Sequence, residues 1–408
     1  MNRSPLDPVA PTREITRRRL LRAALAAPML NLGRHRLAFS QTAARPAEYS
    51  TRCLDLVGGA LVVDMLSPLT ISREVQKRWG PALDGFDERD REEFASSGID
   101  VFHVAVGVGG ADTHQAWDNA LLFFSAHNNA IANRPDVLFR VDTADELAAA
   151  RDDPRVGVLL GLQDSEHFRT AVDVELFWSL GQRVSQLTYN RRNRLGNGAT
   201  ERVDGGLSDF GVEIVGAMNR IGMAVDVSHS GDRTTLDACE LSEQPVLFTH
   251  SNCRALAPGH PRCKTDEAIR AMAATGGVMG ITGVRMFVKV DEPTTVEHLL
   301  DHFDHVRDLV SVEHLGLGSD VDLHGYDDLP AEQNQALRAG YKGSYGFREK
   351  IDIEGVDHPR RVFDLTEGLI RRGYTDGQIR GVLGGNFERA LREIWGASDV
   401  LNGTSPAS

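Results

Sequence analysis

The chain has 408 residues, 41% of them hydrophobic and 25% charged, with a formal net charge of −13. That length and balance suit a soluble globular protein built on one large core. The charge is uneven: residues 1–40 carry eight Arg against Asp7 and Glu14, so the body beyond them is more acidic than the total. An acidic body speaks against a nucleic-acid partner and against binding to anionic membranes.

The first segment reads as an address rather than as structure. Thr16 is followed by Arg17, Arg18, Arg19, Leu20, Leu21 and Arg22, the pattern of a twin-arginine export signal. A modest apolar run over 23–32 follows, and Ala38, Phe39 and Ser40 offer a small-residue cleavage site. Such a run is too short to span a bilayer. Residues 1–40 are therefore expected to be an export signal, and 41–408 a periplasmic or secreted domain without a membrane span. Cys53, Cys239, Cys253 and Cys263 include no CxxC pair, and whether Cys253 and Cys263 are joined is open.

From there short apolar runs recur with helix-length segments between them. They fall at 61–65, 100–106, 156–162, 184–188, 223–227, 246–249, 277–281 and 315–318, with helices expected at 143–151, 211–221, 264–274 and 296–310. Eight β-then-α units predict an α/β fold, a closed (β/α)8 TIM-type barrel. Three stretches exceed what a barrel needs: 67–97, 190–207 and 325–361. Loops after strands lie on the catalytic face, so these three are expected to wall and cover a pocket. The carboxyl terminus, 364–395, reads as two helices, the second capped by Thr375.

One βα unit organises the rest. The runs 223–227 and 245–249 end in His229-Ser230 and His250-Ser251, and a helical segment opening at Asp232 joins them. Parallel neighbours put their carboxyl ends, and so the two imidazoles, side by side on the edge where such folds build their sites.

The order of motifs resembles the renal (membrane) dipeptidase family of zinc peptidases. The shared pieces are Gly206-Leu-Ser-Asp-Phe-Gly211, Asp226-Val-Ser-His229, Phe248-Thr-His-Ser-Asn-Cys-Arg254, Gly318-Ser-Asp-Val-Asp322 and Gly384-Gly-Asn386. The resemblance implies a metallo-dependent hydrolase barrel that cleaves dipeptides. It implies His229 and His250 as ligands of one zinc, and Asp320 as the group positioning or exchanging protons with the attacking water. Arg254 would hold a substrate carboxylate. Tyr189, beside Asn190, would stand where many relatives polarise the carbonyl with a histidine, and both would contact substrate.

The chain departs from the family at the other ligands. The family's first strand ends in Asp-Gly-His-x-Asp; here Asp64 is followed by Met65, Leu66, Ser67 and Pro68, so Leu66 and Pro68 replace two ligands. Gln163 replaces the bridging glutamate, and a neutral amide cannot bridge two zinc ions as a carboxylate does. At most one zinc ion is expected, on His229 and His250 with Gln163, Asp320 or water, or no metal at all. A one-residue shift in the alignment would bring Asp64 or Asp164 closer to the ligand positions, and weaker candidates are His103, Glu166, His167, Asp322 and His324. His298, His302 and His305 read as a solvated helix face.

Three functions remain open on these residues. One is an exported dipeptidase-like hydrolase acting on a dipeptide or related small amide, a homodimer being possible. Another is a metal-independent enzyme acting on a modified peptide. The last is a non-catalytic homologue that still holds a ligand.

Overall fold

The computed structural model describes residues 49–401, apart from 81, 82, 111 and 328. The export signal expected at 1–40 lies outside these residues. One sheet holds nine strands: β1 (Val63–Asp64), β2 (Val101–Val106), β3 (Leu138–Arg140), β4 (Val156–Leu162), β5 (Val184–Gln186), β6 (Ala224–Asp226), β7 (Val246–Ser251), β8 (Met279–Ile281) and β9 (Leu315–Leu317). All its pairings are parallel. Neighbours run from β2 through β1, β9, β8, β7, β6 and β5 to β4, and β4 pairs again with β2. That last pairing closes an eight-stranded barrel, the fold the eight apolar runs predict.

β3 is the strand the sequence reading omits. It lies outside the closed ring, pairing only with the first half of β4, where Leu138 faces Val156. Three residues carry too little pattern to stand out. β4, by contrast, is buried along its whole length, as a strand covered on both faces must be. Its Gly161 is required by packing, because a Cβ there would stand 2.3 Å from His103 Nε2.

The four expected helices form at Ala144–Ala149, Asp209–Ile221, Asp266–Ala274 and Val296–Leu309. Thr143 and Thr265 start two of them by accepting hydrogen bonds from the amides of Glu146 and Ala268. The helix Asp232–Leu241 instead begins after Gly231, and the Asp232 carboxylate is free to pair elsewhere. The insertion at 67–97 folds into two short helices, Arg73–Trp79 and Glu88–Ser97. The last long loop carries the helix Ala331–Ala339.

The carboxyl terminus gives three helices rather than two: Arg361–Arg371, Asp376–Arg380 and Asn386–Leu401. Gly384 bends the chain where a side chain would strike the Leu61 carbonyl, at 2.5 Å. Phe387, Leu391 and Ile394 then pack against Val63, Leu159, Val184 and Leu247. This helix plugs the amino-terminal end of the barrel, so only the carboxyl end is left to hold a site.

Asp64 and Arg361 tie the helix Arg361–Arg371 to the first strand. Both side chains are about 2% exposed, and Arg361 Nη2 lies 3.3 Å from Asp64 Oδ2. Ser319 adds its amide and hydroxyl to the Asp64 carboxylate at 2.8 and 2.6 Å. Removing one partner of such a pair strands a buried charge. Arg361→Met is therefore expected to cost about 3–5 kcal/mol of unfolding free energy, much of it recovered in the Arg361→Met, Asp64→Asn double variant. Denaturant unfolding of the four proteins checks this; additive losses would contradict it.

Candidate active site

His229 and His250 follow β6 and lie within β7, and the structure brings them together. Their Nε2 atoms are 2.8 Å apart. Each Nδ1 is held from behind. Asn190 Oδ1 lies 2.8 Å from His229 Nδ1, and Thr249 Oγ1 lies 2.8 Å from His250 Nδ1. Thr249 donates its one proton to Asp226 Oδ2 at 2.7 Å, so toward His250 it accepts. With Asn190 Oδ1 also accepting, both Nδ1 atoms carry protons and both Nε2 lone pairs face one point. Two acceptors at that distance repel unless one positive charge, a proton or a metal ion, stands with them.

The segment after β7 positions the pair. Arg262, fully buried, donates from Nη1 to the Ser228 carbonyl and from Nη2 to the His250 carbonyl at 3.2 Å. Lys264, also buried, donates to the carbonyls of Val227 and Ser230 at 2.6 and 2.9 Å and to Thr235 Oγ1 at 3.0 Å. Burial, then the charge of Arg262, drives both imidazoles well below the ordinary histidine range.

Arg262 is the functional candidate the sequence reading missed. Arg254, chosen there for a carboxylate, is already committed. Its two Nη atoms meet the Asp232 carboxylate at 2.5 and 2.8 Å, and its Nε donates to the Cys263 carbonyl. Arg262 instead acts electrostatically on His229, His250 and Asp320. The only advance signal was a second arginine twelve residues past His250.

Asp320 sits beyond β9 in the left-handed region, at φ 58°, with its amide donating to the Leu66 carbonyl at 2.7 Å. Its charge reaches four tyrosines: Tyr189, Tyr326, Tyr341 and Tyr345. Burial pushes its carboxyl up to about 7, Arg262 opposing and Asp64 adding. Tyr189 stacks on His229 with ring centres 4.2 Å apart, and its hydroxyl meets that of Tyr341 at 2.9 Å. Tyr341 belongs to the last long loop, so that loop does cover the site.

The remaining candidates separate. Gln163 turns its amide to the Ala105 carbonyl at 2.9 Å. His103 lies inside the barrel, with Nδ1 2.5 Å from the Met65 carbonyl. His167 is core, packed between Phe168 and Phe177 and 3.1 Å from Gln182 Oε1. Asp322 is buried with its carbonyl on Arg361, while His324 pairs with Glu93 at 2.6 Å. The solvated face expected for three histidines is corrected at His302. It is fully buried, accepting from the Cys253 amide at 3.0 Å and bonded through Nε2 to the Val288 carbonyl. All four cysteines are buried and free.

A two-ion centre does not fit these residues. Leu66 is buried and apolar, Asp64 is taken by Arg361, and Gln163 is turned away. Among the described residues no three His, Cys, Asp or Glu side chains converge as ligands. One ion fits the His229–His250 pair if the nitrogens part to roughly 3.3 Å, the spacing that Zn–N bonds of ~2.0–2.1 Å give at tetrahedral angles. The outer hydrogen bonds to both Nδ1 atoms are what a metal-binding imidazole requires.

Comparison with known proteins agrees with this architecture. The model of the membrane dipeptidase family, peptidase family M19, matches residues 88–339. The chain belongs to that family. An uncharacterized dipeptidase from Schizosaccharomyces pombe is 34% identical over 270 residues, 64% of this chain and 58% of that protein. The chain thus spans little more than half the length of that curated relative. Among solved structures, an amidohydrolase from Pseudomonas aeruginosa is 28% identical, with a TM-score of 0.69 over 84% of this chain and 99% of that one. The probable dipeptidase PvdM from the same organism, 16% identical, shares the fold with a TM-score of 0.70 over 86% of this chain and 100% of its own.

Asp320 predicts a pH signature. Its folded pKa of about 7 lies above the unfolded value of about 3.9, so the native state binds the proton more tightly. Its contribution to stability is therefore lost as pH rises from about 4 to about 7. Asp320→Asn is expected to melt higher than the parent at pH 8 and alike at pH 4. Equal margins at both pH values would contradict this.

Proposed function

We propose that this protein is a dipeptidase-like hydrolase acting on a dipeptide or related small amide, with a metal site reduced to at most one ion. The observation that carries the reading is the convergence of two Nε2 lone pairs whose Nδ1 atoms are held by Asn190 and by the Thr249–Asp226 pair. His229 and His250 would hold the ion, which when bound supplies Lewis acidity and an activated water. The protein's own groups do the rest. Asp320, titrating at about 7, can take and return a proton at neutral pH. Arg262, rather than Arg254, provides the positive field for a substrate carboxylate. Tyr189 donates its hydroxyl at the mouth and holds the His229 ring in place by stacking.

A second reading, metal-independent acid–base chemistry, is favoured by one atom. Asn190 Nδ2 is buried without a partner. If that amide turns so that its NH2 faces His229, the chain Asn190–His229–His250–Thr249–Asp226 is satisfied with both imidazoles neutral and no cation. The export expected from residues 1–40 suits either reading. No helix among the described residues is long and apolar enough to cross a membrane.

Metal analysis of the full-length protein beside a dipeptide panel separates the two. The hydrolase reading expects close to one ion per chain and cleavage abolished by chelation. His250→Ala should remove both ion and activity, losing more than the roughly 10–100-fold that a broken outer hydrogen bond costs. Cleavage that survives chelation supports the metal-independent reading, and no cleavage of any dipeptide ends the first. Arg254→Gln is expected to lower the thermal midpoint but leave KM unchanged, and a large rise in KM would return the carboxylate to Arg254.

A further inference from the structure

His229, His250 and Arg262 are at most 1% exposed, and part of their cover is the tip of the last long loop. That tip is fastened to the loop after β5. The Tyr341 hydroxyl meets that of Tyr189 at 2.9 Å. Lys342 Nζ reaches the Thr200 carbonyl and Glu201 at 3.0 and 2.8 Å, and Arg191 donates to the Gly340 carbonyl at 3.4 Å. Behind the tip, the rings of Tyr345 and Phe347 lie with their centres 4.5 and 5.2 Å from that of Tyr341. His260 ties Tyr345 to the Arg262 segment: its Nδ1 accepts from the Arg262 amide at 3.2 Å and its Nε2 donates to the Tyr345 carbonyl at 2.9 Å. The Tyr341 ring is thus held in one place, with its hydroxyl at Tyr189.

The bond between the two hydroxyls has a direction. Burial raises both phenols; the bond adds to the rise at Tyr189 and opposes it at Tyr341, as it does when Tyr189 donates and Tyr341 accepts. Two hydroxyls carry two protons, and one bond uses one of them. Tyr189 therefore spends on Tyr341 the proton expected to polarise a substrate carbonyl. The other proton stays on Tyr341, and among the described residues nothing accepts it. The charges of Asp320 and Arg262 both act on this hydroxyl. One is the group that exchanges protons and the other the cation for a substrate carboxylate, so the unspent O–H stands among the groups of the reaction.

We propose that Tyr341, carried in by the covering loop, is a catalytic residue whose hydroxyl donates to the carbonyl oxygen of the amide being cleaved. This rests on the hydrolase reading for the reaction and adds the donor. As the water oxygen bonds to the carbonyl carbon, its proton passes to Asp320 and the C=O pair moves onto the oxygen. There the Tyr341 O–H meets the growing negative charge. When that pair returns and the C–N bond breaks, the proton held by Asp320 goes to the leaving nitrogen. Closure of the loop then completes the site as well as shielding it.

Steady-state kinetics of the full-length protein on the dipeptide it cleaves fastest, with the phosphinate mimic of that dipeptide as inhibitor, tests the donor. Tyr341→Phe keeps the ring and its packing. It is expected to lower kcat by about 10²–10³-fold, the loss typical of one such donor, with KM unchanged. The phosphinate, whose tetrahedral anion copies the water adduct, should weaken by the same factor as kcat/KM. Tyr189→Phe leaves the Tyr341 hydroxyl in place and should lose less; a larger loss there would move the donor to Tyr189 and overturn the assignment. Lys342→Met frees the loop tip, keeps the hydroxyl and should also lose less kcat than Tyr341→Phe. If Tyr341→Phe instead raises KM, leaves phosphinate binding unchanged and is matched by Lys342→Met, the residue only holds the loop and the proposal fails. Cleavage at the parent rate by Tyr341→Phe removes the donor and keeps the hydrolase, whereas a parent that cleaves no dipeptide removes both.

Discussion

Two buried cations hold the working end of this barrel together. Arg262 and Lys264, two residues apart, send their donors into the carbonyls of Val227, Ser228, Ser230 and His250. These are the backbone groups around the two histidines, at the carboxyl ends of β6 and β7. Burying either cation alone would cost several kcal/mol. The convergent carbonyls offset that cost, and the result is a fixed spacing between two loops that share no ladder bond at that level. Burial still drives the Lys264 ammonium down to about 7. The same arrangement sets the electrostatics, since the Arg262 charge opposes protonation of both imidazoles and favours ionised Asp320.

The barrel was legible because parallel strands covered on both faces are written as unbroken apolar runs, of which β4 is the clearest. β3 escaped because its three residues precede a polar turn and pair with one strand only. The histidine pair was legible from its repeated position after two neighbouring strands. The arginine was not. Arg254 and Arg262 follow the same histidine, and composition cannot tell which one a carboxylate has claimed. That depended on Asp232, where the sequence opens a helix and which the fold uses as the Arg254 partner. His302 was misread for a related reason: histidines at 298, 302 and 305 share a helix, but only one turns inward to bond a loop amide.

The mouth of the barrel is divided by chemistry. On the β9–β1 side the positions where the resemblance leads one to expect metal ligands are closed. Leu66 is buried, and its carbonyl supports the strained Asp320 backbone. Asp64 is locked by Arg361 and Ser319. A residue held at positive φ away from glycine needs support from its surroundings, and this side provides it. On the β4–β7 side polar groups face one another, Tyr189 with Tyr341 and His229 with His250. One half of the ring has become scaffold for Asp320, and the histidine pair stands in the other. Leu66 and Pro68 are therefore of one piece with the surrounding packing: an ion placed there would have to displace a buried leucine and break the Asp64–Arg361 pair that ties the helix Arg361–Arg371 to the first strand.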